Sequence, residues 1–211
     1  MVRLARVVLP GIPHHITQRG VRSIRIFFNK EDRIQYLNLL YTAGILFEID
    51  YLAYCLMDNH VHIVAIPQKE YSFAEAFSSA HRQYTRKINL RFNKKGHFFQ
   101  GRFFSVPLDS EHTDYAITYV EQNPVRAGIC QNACDYIWSS ARYNSRLIDS
   151  DPLISSPRST PNTLYSVNKQ QVIEAIRKST HTGRPLGNSA FLEFAEQLSG
   201  KKLHFSKRGP K

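Results

Sequence analysis

Two histidines that stand one residue apart, His60 and His62, are the residues in this sequence whose types and spacing first indicate chemistry. They lie in an apolar run that is typical of a β-strand, where alternate side chains project from the same face. The two imidazoles are therefore separated by about 7 Å of backbone and can converge on one metal ion. Because paired histidines also occur as hydrogen-bonded structural residues, this pair needs a third group to make a metal site.

Two parts of the chain offer a third group. Tyr115, Tyr119 and Asn123 follow one another at four-residue steps, so on a helix they share one face. Cys130 or Cys134 is the other candidate, which with the two histidines would give a structural zinc site. A tyrosine at the edge of a core is also commonly an amphipathic packing residue. The residues alone leave these interpretations open.

The segment between Glu75 and Asp109 contains no acidic residue but many lysines and arginines. The whole chain has 28 Lys+Arg against 17 Asp+Glu, which gives a net charge of +11. Solvated helix faces usually mix both signs of charge, so the single sign here favours a surface that binds the phosphates of a nucleic acid. The cations that we predict to contact DNA are Arg19, Arg82, Arg86, Lys87, Arg91, Lys94, Lys95, Arg102 and Arg126.

The elements that must position these residues follow from hydrophobic periodicity, capping residues and turn signals. In chain order the sequence first predicts a strand at 13–19, a helix from Asn29 to about Gly44, and a β-hairpin of 47–57 and 60–66. It then predicts a long helix with its apolar stripe at 73–88, an extended segment at 98–108, and a helix that Ser110 caps and Pro124 ends. Strands and helices that alternate in this way predict an α+β sandwich with helices on an antiparallel sheet.

Residues 1–148 hold these elements and are predicted to form one domain. Residues 149–164, rich in Ser, Pro, Thr and Asn, are predicted to be a linker, and residues 165–211 a small, basic helical extension with two short helices. Three cysteines do not suggest a disulfide framework, and no secretory signal or long apolar run is recognisable. We therefore expect a cytoplasmic protein with no membrane partner.

Four short motifs are spread along the chain: MDNHVH at 57–62, GHFFQGRF at 96–103, YVEQNPVRAG at 119–128 and WSS at 138–140. In this order and spacing they resemble the REP-associated tyrosine transposases, which are single-strand DNA transposases of the HUH superfamily with one nucleophilic tyrosine. The resemblance runs from about Arg3 to Tyr143, and the extension also looks like that of many members.

The resemblance implies a ferredoxin-like sandwich and a role for each motif. Tyr119 corresponds to the nucleophile, His60 and His62 to the metal ligands, and Asn123 to a polar side chain supplied to the metal. The family's chemistry implies Mg²⁺ or Mn²⁺ as cofactor, a 5′-phosphotyrosine intermediate and no nucleotide cofactor. The implied DNA partner is a hairpin formed by palindromic repeats and flanked by single strand.

Two alternatives and one question accompany this hypothesis. A non-catalytic nucleic-acid-binding module of ferredoxin-like fold would use the sheet as RNA-recognition domains do, with stacking aromatic residues. A zinc-stabilised structural protein would depend on the cysteines. The sequence also leaves open whether the site forms within one chain or is shared in a homodimer.

Overall fold

The computed structural model describes residues 6–158 and 169–203, and its four antiparallel strands form one sheet. The strands are β1 (His14–Arg19), β2 (Ile49–Met57), β3 (His60–Pro67) and β4 (Phe104–Pro107). Their order across the sheet is β2-β3-β1-β4, so the first and third strands lie in the middle. With one helix between β1 and β2 and another between β3 and β4, this is the ferredoxin-like βαββαβ arrangement, which confirms the predicted fold class.

The helices cover both faces of the sheet. They are α1 (Lys30–Leu46), α2 (Ser72–Arg91), α3 (Ser110–Glu121), α4 (Asn123–Arg126), α5 (Ala141–Asn144), α6 (Lys169–Thr182) and α7 (Ser189–Ser199). Asn29 caps α1 as predicted, because its side chain accepts a hydrogen bond from the backbone N–H three residues later. Among the described helices, none combines the length and apolarity that a bilayer span requires.

Strand alternation divides the core into two layers. Val61 and Ile63 of β3 pack in the layer beneath α1 and α2. Val64 packs in the opposite layer, together with Ile117 of α3 and Ile176 of α6. Because His60 and His62 share the parity of Val64, they project toward the face that α3 and α6 cover. The fold therefore places the histidine pair on the same side as the helix that carries the predicted nucleophile.

The cap of α3 is one residue earlier than predicted. Asp109 caps the helix by accepting a hydrogen bond from His112 N at 2.8 Å, and Ser110 is the first helical residue. Both residue types are good N-caps, but β4 ends at Pro107, which leaves Asp109 in the extended conformation that a cap requires. The helix ends at Glu121, before Pro124 as predicted, and Pro124 lies in the first turn of the next helix, α4.

The extended segment predicted at 98–108 is a strand only in its second half. Its first half is a loop whose three phenylalanines, Phe98, Phe99 and Phe103, are buried against the core beneath α1 and α2. Gly101 has a φ of +61°, a conformation that favours glycine, and the chain turns there. The aromatic residues that suggested a strand are therefore explained by burial of their rings.

The C-terminal region packs on the rest of the chain. Leu153 and Ile154, which belong to the predicted linker, are buried in the core beneath α1 and α2. The predicted extension contains the helices α6 and α7, and Ala195 of α7 packs with Val7 and Leu9. The division into domain, linker and extension remains a prediction. The basic residues of the predicted tail beyond Leu203, namely Lys207, Arg208 and Lys211, lie outside the described residues.

Candidate active site

A cavity of about 270 Å³ opens on the face of the sheet that α3 and α6 cover. In the register of β1 with β3, Thr17 is paired with His62, so side chains of the same parity on the two strands enter the cavity together. The lining residues include His15, Arg19, His60, His62, Tyr119 and Thr180. The two middle strands of the sheet, β1 and β3, and the helices α3 and α6 thus meet at one place.

The predicted metal pair lies at this cavity. The ring centroids of His60 and His62 are 5.0 Å apart, and His60 Nδ1 lies 2.6 Å from Asn59 Oδ1. Burial, assisted by the positive charge of Arg19, lowers the pKa of His60 to about 4. Burial also lowers the pKa of His62 well below its usual range. Both imidazoles are therefore neutral at pH 7, which is the form that binds a metal ion.

A third histidine of the cavity, His15, was not singled out from the sequence. Its Nε2 lies 3.0 Å from His62 Nδ1, and its Nδ1 lies 3.1 Å from Thr180 Oγ1. Burial, followed by the charge of Arg126, lowers the pKa of His15 to about 3, so this ring is neutral as well. The sequence predicted a strand at this position, but not that this strand pairs with β3. That pairing is the signal that would have placed His15 beside His62.

Tyr119 lies next to two of these histidines. Its ring centroid is 5.6 Å from that of His62 and 5.7 Å from that of His15, and its ring meets both at 84°. Only 8% of the residue is exposed. The predicted nucleophile and the predicted metal ligands are therefore brought together at one cavity by a single chain.

Asn123, the predicted third metal ligand, is not among the residues that line this cavity. Its Nδ2 donates to the carbonyl oxygens of Tyr119 at 3.2 Å and of Val120 at 3.1 Å, at the end of α3. The four-residue step that suggested a shared helical face crosses the end of α3 at Glu121. The structure thus ties Asn123 to the backbone of α3 and does not bring it together with the histidines, and its role as a ligand remains a prediction.

The cysteines of the zinc alternative do not line the cavity either. Cys134 Sγ lies 3.6 Å from Ser145 Oγ and 3.8 Å from the carbonyl oxygen of Ala141. Within residues 6–158 and 169–203, no three or more His, Cys, Asp or Glu side chains are grouped as a metal site would need. Among the described residues, His60 and His62 are therefore the candidate ligands that the structure brings together. A structural zinc centre needs four protein ligands, so this arrangement does not support one.

A second cavity of about 760 Å³ lies along α2, between this helix and the loop at 96–103. We call it the α2 groove. Aromatic rings of Phe99 and Phe103 line it, together with Arg82, Arg86 and Arg102. Arg102 also lines the first cavity, so the two openings adjoin. The arginine side chains make this groove suited to the phosphates of a nucleic acid strand.

The predicted DNA-binding cations separate into distinct environments. Arg19 and Arg102 line the first cavity, whereas Arg82 and Arg86 line the α2 groove with Arg102. Lys87, Lys94 and Lys95 are exposed on α2 or just after it. Among the described residues, none of these seven cations forms an ion pair. Their charge is available to phosphates.

Arg91 and Arg126 differ from the other cations because protein groups already engage them. Arg91 donates two hydrogen bonds to the buried carboxylate of Asp32, at 2.7 and 2.9 Å. Arg126 lies over the ring of Tyr119, with Cζ 4.2 Å from the ring centroid. The structure therefore gives Arg91 a stabilising role in the fold and places Arg126 against the predicted nucleophile. Their contacts with DNA remain predictions.

Helix α6, from the predicted extension, contributes to the cavity in a way that the sequence did not indicate. Arg177, Thr180 and His181 line it, each within one turn of the next on α6. Thr180 makes the contact with His15 described above. Because these residues lie about 165 positions from β1, no local pattern could have linked them to the site.

Among solved structures, the chain is similar to two transposases. A solved REP-associated tyrosine transposase bound to a REP hairpin matches with a TM-score of 0.56 and 15% identity, over 78% of this chain and 96% of that chain. A putative transposase from Deinococcus radiodurans matches with a TM-score of 0.41 and 12% identity, over 57% of this chain and 97% of that chain. No curated protein sequence matches the chain.

The first of these structures shows the same fold. The model of the family described as "Transposase IS200 like" matches residues 14–123, a segment that contains His15, both histidines of the pair, and Tyr119. This match covers more than half of the 211 residues. The chain therefore belongs to the IS200-like transposase family.

Proposed function

We propose that this transposase cleaves and rejoins single-stranded DNA with Tyr119 as its nucleophile. The observation that carries the proposal is the contact of the Tyr119 ring with His62 at one cavity. The phenol oxygen bonds to phosphorus, the bond from phosphorus to the 3′ oxygen breaks, the phenol proton passes to solvent, and the 3′ oxygen is protonated. The products are a 5′-phosphotyrosine and a free 3′-hydroxyl. Attack by another 3′-hydroxyl restores a phosphodiester, so no nucleotide cofactor is consumed.

Mg²⁺ or Mn²⁺ would be held by the Nε2 atoms of His60 and His62. Within the described residues no hydrogen bond is made to either Nε2, whereas both Nδ1 atoms have partners. Neutral imidazoles with open nitrogens fit Mn²⁺ well and leave coordination positions for phosphate oxygens. The ion would neutralise and align the scissile phosphate. Tyr119 supplies the attacking oxygen, and the walls of the cavity restrict how a strand can approach it.

We infer that the DNA partner is a hairpin of palindromic repeats with an adjoining single strand. The solved REP-associated relative was bound to a REP hairpin, and the chain shares its fold. The α2 groove adjoins the catalytic cavity at Arg102, so one strand can run through both. Phosphate contacts along this path would position the strand but would not select its sequence. Since one chain supplies both Tyr119 and the histidines, the proposal does not require a homodimer.

A non-catalytic nucleic-acid-binding module remains the alternative function. The observation that favours it is the α2 groove, whose arginines can bind the phosphates of a strand without Tyr119. This alternative predicts binding that tolerates His60→Ala and chelation of divalent ions. It predicts no covalent intermediate.

The test is formation of a covalent adduct that survives denaturation. The purified chain is incubated with labelled single-stranded hairpin oligonucleotides and Mn²⁺, and the products are separated on a denaturing gel. Tyr119→Phe is expected to abolish the adduct while hairpin affinity changes less than about threefold. An undiminished adduct in this variant would overturn the proposal.

Tyr115→Phe is the matched control, because Tyr115 stands one turn earlier on α3 and its hydroxyl interacts only with Glu111 among the described residues. It is expected to form the adduct at the parental rate. His60→Ala, His62→Ala and EDTA are each expected to suppress the adduct. Peptide mapping of the adduct identifies the tyrosine that is modified.

A further inference from the structure

We propose that His15 and Thr180 are positioning residues that hold His62 in the one tautomer able to present Nε2 to the cavity. The functional consequence of this inference rests on the proposed function. The hydrogen bonds that support it are present in the chain without DNA. It links three groups that are remote in sequence: a strand residue, a helix residue from the C-terminal extension, and a histidine of the proposed metal pair.

The direction of the hydrogen bonds starts at Thr180. Its Oγ1 lies 2.7 Å from the carbonyl oxygen of Ile176, which can only accept, so the hydroxyl proton is used there. The same Oγ1 lies 3.1 Å from His15 Nδ1 and must accept in that contact. His15 therefore carries its proton on Nδ1, and its Nε2 bears a lone pair.

The proton on His15 Nδ1 also sets the direction of the hydrogen bond between His15 and His62. His15 Nε2 lies 3.0 Å from His62 Nδ1, and the two rings are parallel with an interplanar angle of 0°. Because His15 Nε2 can only accept, His62 Nδ1 must donate. A neutral His62 with its proton on Nδ1 has its lone pair on Nε2, the atom that metal binding requires. His15 and Thr180 thus determine which nitrogen of His62 is open.

Burial of His15 and His62 preserves the hydrogen bond that fixes the tautomer of His62. His15 is 1% exposed and His62 is 8% exposed, so water does not replace either partner easily. His60 is held in a corresponding way, since its Nδ1 lies 2.6 Å from Asn59 Oδ1, while Asn59 Nδ2 donates to the carbonyl oxygen of Ser23. Each histidine of the pair is thereby fixed through Nδ1. Only His62 depends on a residue of α6.

Helix α6 therefore supplies, through Thr180, a hydrogen bond on which the metal-binding form of His62 depends. Hydrogen-bond partners behind a ligating histidine fix its ring and tautomer, and their loss usually lowers metal affinity about 10- to 100-fold. We expect Thr180→Val, which keeps the shape of the side chain and removes the hydroxyl, to weaken Mn²⁺ binding in this range. Thr180→Ser retains the hydroxyl and is expected to restore binding.

The decisive experiment is a long-range ¹H–¹⁵N correlation spectrum of the histidine rings in the metal-free and DNA-free full chain. His62 of the parent protein is expected to be protonated on Nδ1 and unprotonated on Nε2, and His62→Gln assigns its signals. A spectrum with His62 protonated on Nε2 would overturn the proposal, whatever the stability of any variant.

The second arm measures Mn²⁺ affinity by the electron paramagnetic resonance signal of the free ion. Thr182→Val is the matched control, because Thr182 also donates to a carbonyl within α6, that of Lys178 at 3.0 Å, but does not contact His15. Parental affinity in Thr180→Val with an unchanged His62 spectrum would contradict the role of Thr180. If Mn²⁺ binds to no variant while His62 remains protonated on Nδ1, the proposed metal dependence fails and the tautomer assignment stands.

Discussion

The guanidinium of Arg126 lies over the ring of Tyr119, with 4.2 Å between Cζ and the ring centroid. Its Nη2 also donates to the carbonyl oxygen of Tyr119. This double contact is possible because α3 ends at Glu121 and the short helix α4 carries Arg126 back over the end of α3. A cation on the face of a phenol is attracted to the ring and fixes its orientation. Arg126 therefore belongs to the environment of the proposed nucleophile.

Replacement of Arg126 by Gln is expected to slow adduct formation about 3- to 30-fold, since a partly desolvated cation–π contact contributes about 0.5–2 kcal/mol. The measurement is the single-turnover rate of adduct formation at saturating DNA, which separates this effect from weaker binding. Arg142→Gln, on α5, removes an arginine that does not line the cavity and serves as the control. An unchanged rate in Arg126→Gln would show that the contact does not assist the reaction.

The ion pair of Arg91 with Asp32 leads to a prediction about stability rather than DNA binding. The side chain of Asp32 is 2% exposed and accepts hydrogen bonds from Arg91 and from Phe28 N. Arg91→Met would leave this buried carboxylate without its cation, and we expect a loss of about 1–3 kcal/mol in the free energy of unfolding. Urea denaturation measures this loss.

The contrast with Arg86 makes this prediction specific. Arg86 lines the α2 groove and forms no ion pair among the described residues. Arg86→Met should therefore leave the urea midpoint nearly unchanged and weaken DNA binding, whereas Arg91→Met should do the reverse. If both variants lose affinity and retain stability, Arg91 contacts DNA as its position in the basic segment first suggested.

The α2 groove predicts a particular salt dependence of DNA binding. Each phosphate contact that is lost should reduce the slope of log affinity against log salt concentration by about 0.7–0.9. We expect this reduction for Arg82→Ala and for Arg86→Ala, and about twice as much for the double variant. Lys30→Ala, at the start of α1 beside Glu31, is the control and should leave the slope unchanged. If all four variants have the same slope as the parent protein, the DNA lies outside the groove.

Local patterns were sufficient to predict some parts of the site. The alternation of side chains around His60 and His62 and the two-residue turn before them predicted the hairpin, and the structure contains it. The periodicity around Tyr119 predicted the helix, with its cap displaced by one residue. These features depend on neighbouring residues in the chain, and propensity and pattern describe them well.

Contacts between distant segments could not be predicted in this way. His15 is 47 residues from His62 and 165 from Thr180, so its role follows only from the strand order and from where α6 packs. Composition likewise identified Arg91 as one cation of a basic run but could not indicate that Asp32, 59 residues earlier, binds it. The four-residue step to Asn123 suggested a shared face, but the helix ends between the two residues. The missing information in each case was tertiary packing.

Glu121, at the end of α3, provides a prediction about pH. The residue is 1% exposed, and its Oε1 accepts hydrogen bonds from Ser140 Oγ at 2.6 Å and Asn144 Nδ2 at 2.7 Å. Burial raises the pKa of this carboxyl, and the charge of Asp151 raises it further, although the two hydrogen bonds oppose the rise. The folded state therefore holds the proton to a higher pH than the unfolded state. Stability from this group is complete below the unfolded pKa and is lost as pH rises through the folded pKa.

Glu121→Gln should remove this loss, because the amide stays neutral at every pH and its oxygen can still accept from Ser140 and Asn144. We expect the melting temperature of the variant to exceed that of the parent at pH 8, and the difference to shrink as the pH falls toward 4.5. Differential scanning calorimetry across this range measures it, and Glu121→Ala, which lacks the acceptor oxygen, should be less stable than Glu121→Gln throughout. A Glu121→Gln variant that melts below the parent at pH 8 would mean that the carboxylate is bound more favourably in the folded state than its burial indicates, and that Ser140 and Asn144 stabilise the charged form.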